Sequence, residues 1–157
     1  MTIEITPIGY VRGGRTEPID DNWGGVIATI ELDELQFDPD VTAGLAEFSH
    51  LDVVYVFHLV DEAKIETRAR HPRNNTDWPL VGIFAQRAKG RPNRIGVTTC
   101  EIVSVDGLTV TVRGLDAIDG TPVVDLKPYM NEFAPRSEVR EPQWATELMA
   151  GYWHTDT

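Results

Sequence analysis

Two short segments concentrate the residues whose types and spacing could do chemistry. The first runs from Gly82 to Gly96 and places Arg87 at the end of a predicted strand and Arg91 in a turn. Because Pro92 restricts the backbone of that turn, its guanidinium groups lose less entropy when they bind a carboxylate or a phosphate. The segment is therefore either an anion site or a basic hairpin tip that keeps the end of a sheet soluble.

The second segment runs from Leu115 to Tyr129 and combines carboxylates, a hydroxyl group and an ammonium group. Turns interrupt it, and turn backbone leaves N–H and C=O groups free for an adenine edge or an amino-acid head group. Asp116 and Asp119 are separated by two residues, so a cation or ribose hydroxyls could lie between them. The alternative is that Asp119 begins an Asx turn and nothing more.

The charges are unevenly distributed along the chain. The 25 acidic and 14 basic residues give a formal net charge of −11, which argues against a protein that binds nucleic acid through its overall charge. Between Lys64 and Arg94, however, eight basic residues are opposed only by Glu66 and Asp77, so this basic segment carries a formal charge of +6. Such a segment is either a solvated loop pair or a site for an anion, a phosphate or a nucleic-acid backbone.

Several common chemistries are disfavoured. None of the four histidines has a metal-ligand spacing, and Cys100 is the only cysteine, so no metal site is predicted. Nothing near Cys100 would lower its pKa, which favours a packed thiol over a nucleophile. The sequence also lacks a nucleophile elbow, a P-loop, and a G-x-G-x-x-G motif after the first strand, so a Rossmann-type domain is not expected.

Hydrophobic periodicity and turn residues predict mostly short strands. Strands are expected over residues 3–12, 25–32, 51–60, 80–85, 95–105, 108–112 and 123–126, with helices over 38–48 and 141–152. The stripe formed by Trp144, Leu148 and Tyr152 is interpreted as core packing. This pattern is typical of an antiparallel barrel or sandwich.

Length and composition point to one cytoplasmic domain without a membrane anchor. The 157 residues are 41% hydrophobic and 25% charged, as in an ordinary globular protein. A single cysteine rules out an intrachain disulfide and favours a reducing cytoplasm. The N-terminus lacks the pattern of a signal peptide, and no apolar run reaches the roughly 20 residues that span a bilayer.

The order of the motifs resembles one family. FAQRAKGRPNRIG, then GLDAIDGTPVVDLKPY, preceded by LAEFSHLDVVYVFH, is similar to the S-adenosylmethionine-dependent tRNA N6-methyltransferases described as YaeB-like or TsaA-like proteins. Those enzymes methylate N6 of threonylcarbamoyl-adenosine beside the anticodon. The resemblance extends from Ile3 to Tyr129, and Arg94 stands where the family's motif has proline.

The resemblance implies a mainly β fold: a small antiparallel-rich β-barrel with a short helix after strand 2 and a C-terminal helix, and no Rossmann domain. We expect the barrel, residues 1–135, to bind S-adenosylmethionine, and residues 136–157 to form a short helical tail packed on it. A homodimer acting on tRNA is also implied. The cofactor contacts carried over by motif are Asn22, Trp23, Gly24, Phe57, His58, Arg87, Val97, Asp116, Ala117, Ile118 and Asp119.

The catalytic group stays open at this point. An acceptor for the proton of an adenine amine could be Asp116, Asp119 or Tyr129. The predicted RNA-binding residues are six of the eight cations of the basic segment, Arg68, Arg70, Arg73, Lys89, Arg91 and Arg94. Two alternatives remain: a small-molecule methyltransferase on the same barrel, suggested by the acidic surface, and a module that binds S-adenosylmethionine without turnover.

Overall fold

The computed structural model describes residues 1–155, and most regular structure in them is β-strand. The strands are β1 (Gly9–Arg12), β2 (Ile27–Leu32), β3 (His50–Val56), β4 (Ala69–Arg70), β5 (Val81–Gly82), β6 (Ile95–Asp106), β7 (Thr109–Arg113) and β8 (Pro122–Pro128). One α-helix, α1 (Gln143–Leu148), lies near the C-terminus of this range. Short 3-10 turns occupy 39–42, 45–47, 62–64, 72–74, 83–85, 92–94 and 131–133.

Six strands close into an antiparallel barrel in the order β1-β2-β7-β6-β3-β8, while β4 and β5 form a separate two-stranded ribbon. The inward face alternates with the outward face along each strand, as the pleat requires. The predicted mainly β barrel is therefore confirmed. Its core is fully buried at Val11, Ile30, Leu51, Val53, Val110, Val112 and Val123.

Antiparallel pairing sorts the connections between the two ends of the barrel. Val56 pairs with Ile95, Tyr55 with Val123, and Arg12 with Thr29, so these strand ends lie together. Residues 13–26, 57–94 and 114–121 consequently meet at one end, called here the loop-rich end. Residues 33–49, the Gly107–Leu108 turn and the chain after Pro128 lie at the opposite end.

Several predicted elements differ from the observed ones. The helix expected over 141–152 is limited to Gln143–Leu148, so Tyr152 lies outside it, and no residue of the helix is buried. The strand expected over 51–60 ends at Val56. The helix expected over 38–48 is two 3-10 turns, because Gly44 between them adopts a left-handed φ of 85°. The first strand begins at Gly9 rather than Ile3, and Ile3 and Ile5 are exposed. The strand expected over 80–85 is only Val81–Gly82 before a 3-10 turn.

The segment after α1 returns to the loop-rich end. The N–H of Asn22 donates to the carbonyl of Gly151 (3.1 Å), and the N–H of Trp23 donates to Tyr152 (2.8 Å). Trp78 donates its indole N–H to Glu147 of α1 at 2.9 Å. Residues 156–157 of the predicted tail lie outside the described range. None of the helices within 1–155 is both long and apolar enough to cross a membrane.

Candidate functional site

Asp116 is the polar centre of the loop-rich end. Its Oδ1 accepts hydrogen bonds from the hydroxyl of Tyr55 (3.0 Å) and from that of Thr98 (2.5 Å). Its Oδ2 accepts one from the hydroxyl of Tyr152. Three hydroxyl donors on one half-buried carboxylate fix its orientation, since hydrogen bonds to ionised groups are the stronger ones.

The phenols around Asp116 are held in their protonated form. Burial raises the pKa of Tyr55 well above its ordinary value, and the negative charge of Asp116 adds to this. Burial and then Asp116 raise the pKa of Tyr152 in the same way. Both hydroxyls therefore stay donors throughout the physiological pH range.

Arg87 supplies the positive charge next to this cluster. Its positive charge lowers the pKa of both tyrosines slightly, against the larger effects of burial and of Asp116. It donates to the carbonyl of Val97 at 2.7 Å, and its side chain remains exposed. Phe57 packs edge-on against Tyr55 with ring centroids 5.3 Å apart. Four of the predicted cofactor residues, Phe57, Arg87, Val97 and Asp116, are thus brought together.

The turn after Asp116 presents mainly its backbone and one carboxylate. Ala117 and Ile118 are buried, so their side chains belong to the core. Asp119 is exposed and accepts the N–H of Gly13 at 2.8 Å. A Cβ built on Gly120 would lie 3.9 Å from Nε2 of His58, which places that imidazole beside the same turn.

The loop that carries Asn22, Trp23 and Gly24 lies at the loop-rich end and packs against residues 151–153. Trp23 is only 3% exposed, and the guanidinium of Arg15 lies 4.5 Å from its ring centroid. A Cβ on Gly24 would come 2.1 Å from the carbonyl oxygen of Trp153, so only glycine fits there. Trp23 and Gly24 therefore contribute packing, and neither offers a free polar side chain.

Several cations of the basic segment are already engaged with protein groups. Arg73 pairs with Asp21 at 3.0 Å. Arg91 donates to the carbonyl of Gln86 at 2.6 Å, and Arg94 donates to that of Val60 at 2.8 Å. These contacts brace the loops and reduce the number of cations that face solvent freely.

Two predicted RNA-binding residues do face solvent. Arg68 and Lys89 are exposed, and neither takes part in the ion pairs found within residues 1–155. Arg70 is half-buried, and its Nε is buried without a hydrogen-bond partner in the described part of the chain. Among the six predicted RNA-binding residues, the exposed positive charge is therefore at Arg68 and Lys89, and Lys64 and Arg87 of the same segment are exposed as well.

Arg94 has a backbone conformation that explains its difference from the family's motif. Its φ is 52°, and that of Asn93 is 64°. Proline cannot adopt such a φ, because its ring holds the angle near −65°. A proline at this position would require a different turn and would also remove the N–H that Arg94 donates to Arg91.

Two residues considered for chemistry lie away from the cluster or are unreactive. Tyr129 follows the far end of β8 and donates its N–H to His50. It is six residues beyond Val123, or roughly 20 Å along the strand, so it lies at the opposite end. Burial, followed by the charges of Asp116 and Asp52, raises the pKa of Cys100 to about 12. That thiol is not a nucleophile.

No sequence motif marks Tyr55, Thr98 or Tyr152 as functional. Tyr55 and Thr98 are inward positions of buried strands, and Tyr152 was assigned to core packing. Their shared contact with Asp116 depends on strand pairing and on the path of the chain after α1, neither of which local spacing reveals. Within residues 1–155, no group of three or more His, Cys, Asp or Glu could hold a metal ion.

Comparison with known proteins identifies relatives over most of the chain. Residues 16–134 match the family described as the tRNA-methyltransferase O N-terminal domain. The human tRNA (adenine(37)-N6)-methyltransferase is 37% identical over 99 residues, which cover 63% of this chain and 22% of the human protein. A probable S-adenosyl-L-methionine-binding protein of Methanothermobacter thermautotrophicus is 36% identical over 135 residues, covering 84% of this chain and 93% of that protein.

A solved structure has the same architecture. TrmO from Pseudomonas aeruginosa superposes with a TM-score of 0.73 at 26% identity, covering 92% of this chain and 62% of the other. The chain spans about a fifth of the length of the mammalian relatives that it matches. The barrel is thus shared with proteins that are longer than the region matched by this chain.

Proposed function

The chain belongs to the family of the tRNA-methyltransferase O N-terminal domain, and from this premise we propose that it is an S-adenosylmethionine-dependent methyltransferase of tRNA. The proposed reaction is methylation of N6 of threonylcarbamoyl-adenosine next to the anticodon. The observation that carries this proposal is the convergence of Arg87, Phe57 and the oriented carboxylate of Asp116 at one end of the barrel.

The donor set of the loop-rich end fits S-adenosylmethionine. A guanidinium is suited to the carboxylate of the amino-acid part, because it offers several N–H donors in a fixed plane. Three of the roughly four acceptor positions of Asp116 are filled, which leaves one oriented position for a ribose hydroxyl. Phe57 offers an aromatic surface. The backbone of the 117–119 turn and His58 border the same space, and the Asn22–Gly24 loop closes its side.

Bound S-adenosylmethionine would supply an electrophilic methyl group on sulfur. The protein's own contribution is positioning, which by itself lowers the barrier of a two-substrate reaction by several kcal/mol. The adenine amine must also lose a proton as it is methylated. We assign that proton to Asp119, because its carboxylate is exposed and accepts only one hydrogen bond in the described structure. Asp116 already accepts three hydroxyls, and Tyr129 lies at the opposite end.

Isothermal titration calorimetry with S-adenosylmethionine tests the cofactor site. We expect wild-type protein to bind, and Arg87→Ala to weaken binding by roughly tenfold, because a charge-assisted hydrogen bond contributes about 1.5–3 kcal/mol. The matched control is Arg113→Ala, which removes an arginine paired with Glu101 on the barrel wall. No heat of binding for the wild type at millimolar cofactor would reject the proposal.

RNA binding is proposed to use the exposed cations of the basic segment. Replacing both Arg68 and Lys89 with alanine should raise the KM for tRNA roughly tenfold. The slope of log affinity against log salt should become less steep by about 1.5, because each lost phosphate contact removes about 0.7–0.9.

The control for that pair is Arg136→Ala with Arg140→Ala, two exposed arginines of the tail that change the net charge equally. It should leave the KM and the slope near their wild-type values. Equal effects of the two double variants would mean that only net charge matters and would remove the basic segment as the RNA-binding surface.

One observation favours a second candidate function, binding of S-adenosylmethionine without tRNA methylation. The Methanothermobacter relative, which this chain covers almost completely, is named only for binding that compound. A tritiated methyl group should separate the possibilities when the protein is incubated with total tRNA and, in parallel, with a metabolite extract. Label in tRNA supports the main proposal, label in the extract supports a small-molecule methyltransferase, and no label supports a binding module.

We further propose a cytoplasmic homodimer that uses no metal ion, in which residues 1–135 bind the cofactor and the remaining residues form a tail packed on the barrel. Exposed Ile3 and Ile5 ahead of β1 support an apolar contact between copies. Sedimentation of the purified protein tests the dimer, and unchanged activity in a chelator tests the independence from metal.

A further inference from the structure

The C-terminal segment, defined here as Gly151–Thr155, is packed against the Asn22–Gly24 loop. Two backbone hydrogen bonds join them, from Asn22 to Gly151 and from Trp23 to Tyr152. A Cβ on Gly24 would meet the Trp153 carbonyl oxygen at 2.1 Å, and one on Gly25 would meet the Thr155 side chain at 2.8 Å. Such close backbone approach shows that the two pieces are fitted to one another.

Tyr152 connects this segment to the polar centre of the site. Its hydroxyl donates to Oδ2 of Asp116, while its ring packs edge-on against Trp153 with centroids 4.8 Å apart. Burial and the charge of Asp116 raise its pKa, so the phenol remains protonated and keeps donating. The other two donors on Asp116, Tyr55 and Thr98, belong to barrel strands.

Tyr152 is thus the donor that links two loops lying on different sides of the site. Through its backbone it holds the Asn22–Gly24 loop, and through its hydroxyl it holds Asp116. Its position, 36 residues after Asp116, means that the barrel alone does not supply this link. Without it, Oδ2 would lose its only partner in the described structure, and the carboxylate could rotate about its last bond.

We propose that Tyr152 is a positioning residue of the cofactor site, acting by fixing the carboxylate of Asp116 against the Asn22–Gly24 loop. This inference rests on the proposed function, because it takes S-adenosylmethionine as the ligand that Asp116 faces. Tyr152 itself makes no contact with the reacting atoms in this account. It sets the orientation of a group that does face the ligand.

The test is Tyr152→Phe, which removes the donor and keeps the ring that packs on Trp153. Calorimetry with S-adenosylmethionine should give a Kd roughly tenfold weaker than wild type, since a donor to a charged group is lost. The control is Tyr10→Phe, the same chemical change at an exposed tyrosine of β1, and it should bind like wild type. Urea unfolding of both variants checks that each is folded under the conditions of the titration.

A second readout does not depend on binding. The ¹³C resonance of the Asp116 carboxyl group and the amide resonances of residues 22–24 should shift in Tyr152→Phe and stay in place in Tyr10→Phe. If the wild type binds S-adenosylmethionine and Tyr152→Phe binds it equally tightly, the inference about Tyr152 is overturned while the proposed cofactor site stands. Unchanged resonances in Tyr152→Phe would overturn the inference in the same way. Absence of binding by the wild type would instead reject the proposed cofactor site, and the inference with it.

Discussion

Asp116→Ala is expected to abolish measurable binding of S-adenosylmethionine and to lower the free energy of unfolding by about 3 kcal/mol. The substitution removes the acceptor of three hydroxyl groups, those of Tyr55, Thr98 and Tyr152. Tyr55 is only 2% exposed, so its hydroxyl cannot turn to water. In the variant the Tyr55 hydroxyl keeps only its longer contact to the Asp116 carbonyl oxygen, at 3.3 Å. Buried donors that lose an ionised acceptor regain little of their desolvation cost, which is why the expected loss is large.

Urea unfolding measures the change in stability, and a separate calorimetric titration of the folded protein with S-adenosylmethionine measures the change in binding. The control is Asp125→Ala, which removes a carboxylate that pairs with Lys127 toward the other end of β8. Exposed ion pairs contribute little, so its stability should stay within about 1 kcal/mol of wild type. An Asp116→Ala variant as stable as this control would contradict the view that Asp116 organises the loop-rich end.

Gly96→Ala is expected to disturb the same cluster from the opposite side. A Cβ at this position would lie 2.7 Å from Cζ of Tyr55 and 2.9 Å from Cζ of Phe57. Both rings are packed edge-on, and Tyr55 lies in the core, so neither can move away without cost. Overpacking of this kind costs typically about 1–3 kcal/mol and displaces the Tyr55 hydroxyl from Asp116.

Thermal unfolding and the near-ultraviolet circular dichroism of the aromatic rings should report the change. Gly82→Ala serves as the matched control, because a Cβ there meets no atom within 4 Å. Its φ of −63° is also ordinary for alanine, so the control should be neutral or slightly stabilising through the unfolded state. If Gly96→Ala matched the control in both readouts, the close packing of Tyr55 and Phe57 on this strand would not matter.

The barrel strands were predictable because their side chains alternate. Residues 25–32, 95–105, 108–112 and 123–126 carry β-branched residues at period two between turn residues, and each is observed as a strand within a few positions. Antiparallel pairing of such strands allows a sandwich or a barrel, and the barrel closes because β1 pairs with β8. The 3-10 turns were less predictable, since Val41, Leu45 and Phe48 have helical spacing but Gly44 breaks the helix between them.

The site was predictable only where motifs lie within a few residues of each other. Arg87 and Val97 flank one turn, and the Asp116–Asp119 turn is itself continuous in sequence. Local spacing does not reveal that Arg73 pairs with Asp21, 52 residues away, and so is partly neutralised. Nor does it reveal that Tyr129 belongs to the opposite end, which depends on the direction of β8.

A crystal structure of the protein grown with S-adenosylmethionine would test the central claim most directly. We expect ligand density at the loop-rich end, in contact with Arg87, Phe57 and the 116–119 turn, with the Tyr152 hydroxyl still hydrogen-bonded to Asp116. At the opposite end a groove lies among Ile8, Leu32, Phe37 and Leu126. Ligand density in that groove, with the loop-rich end free of ligand, would contradict the account.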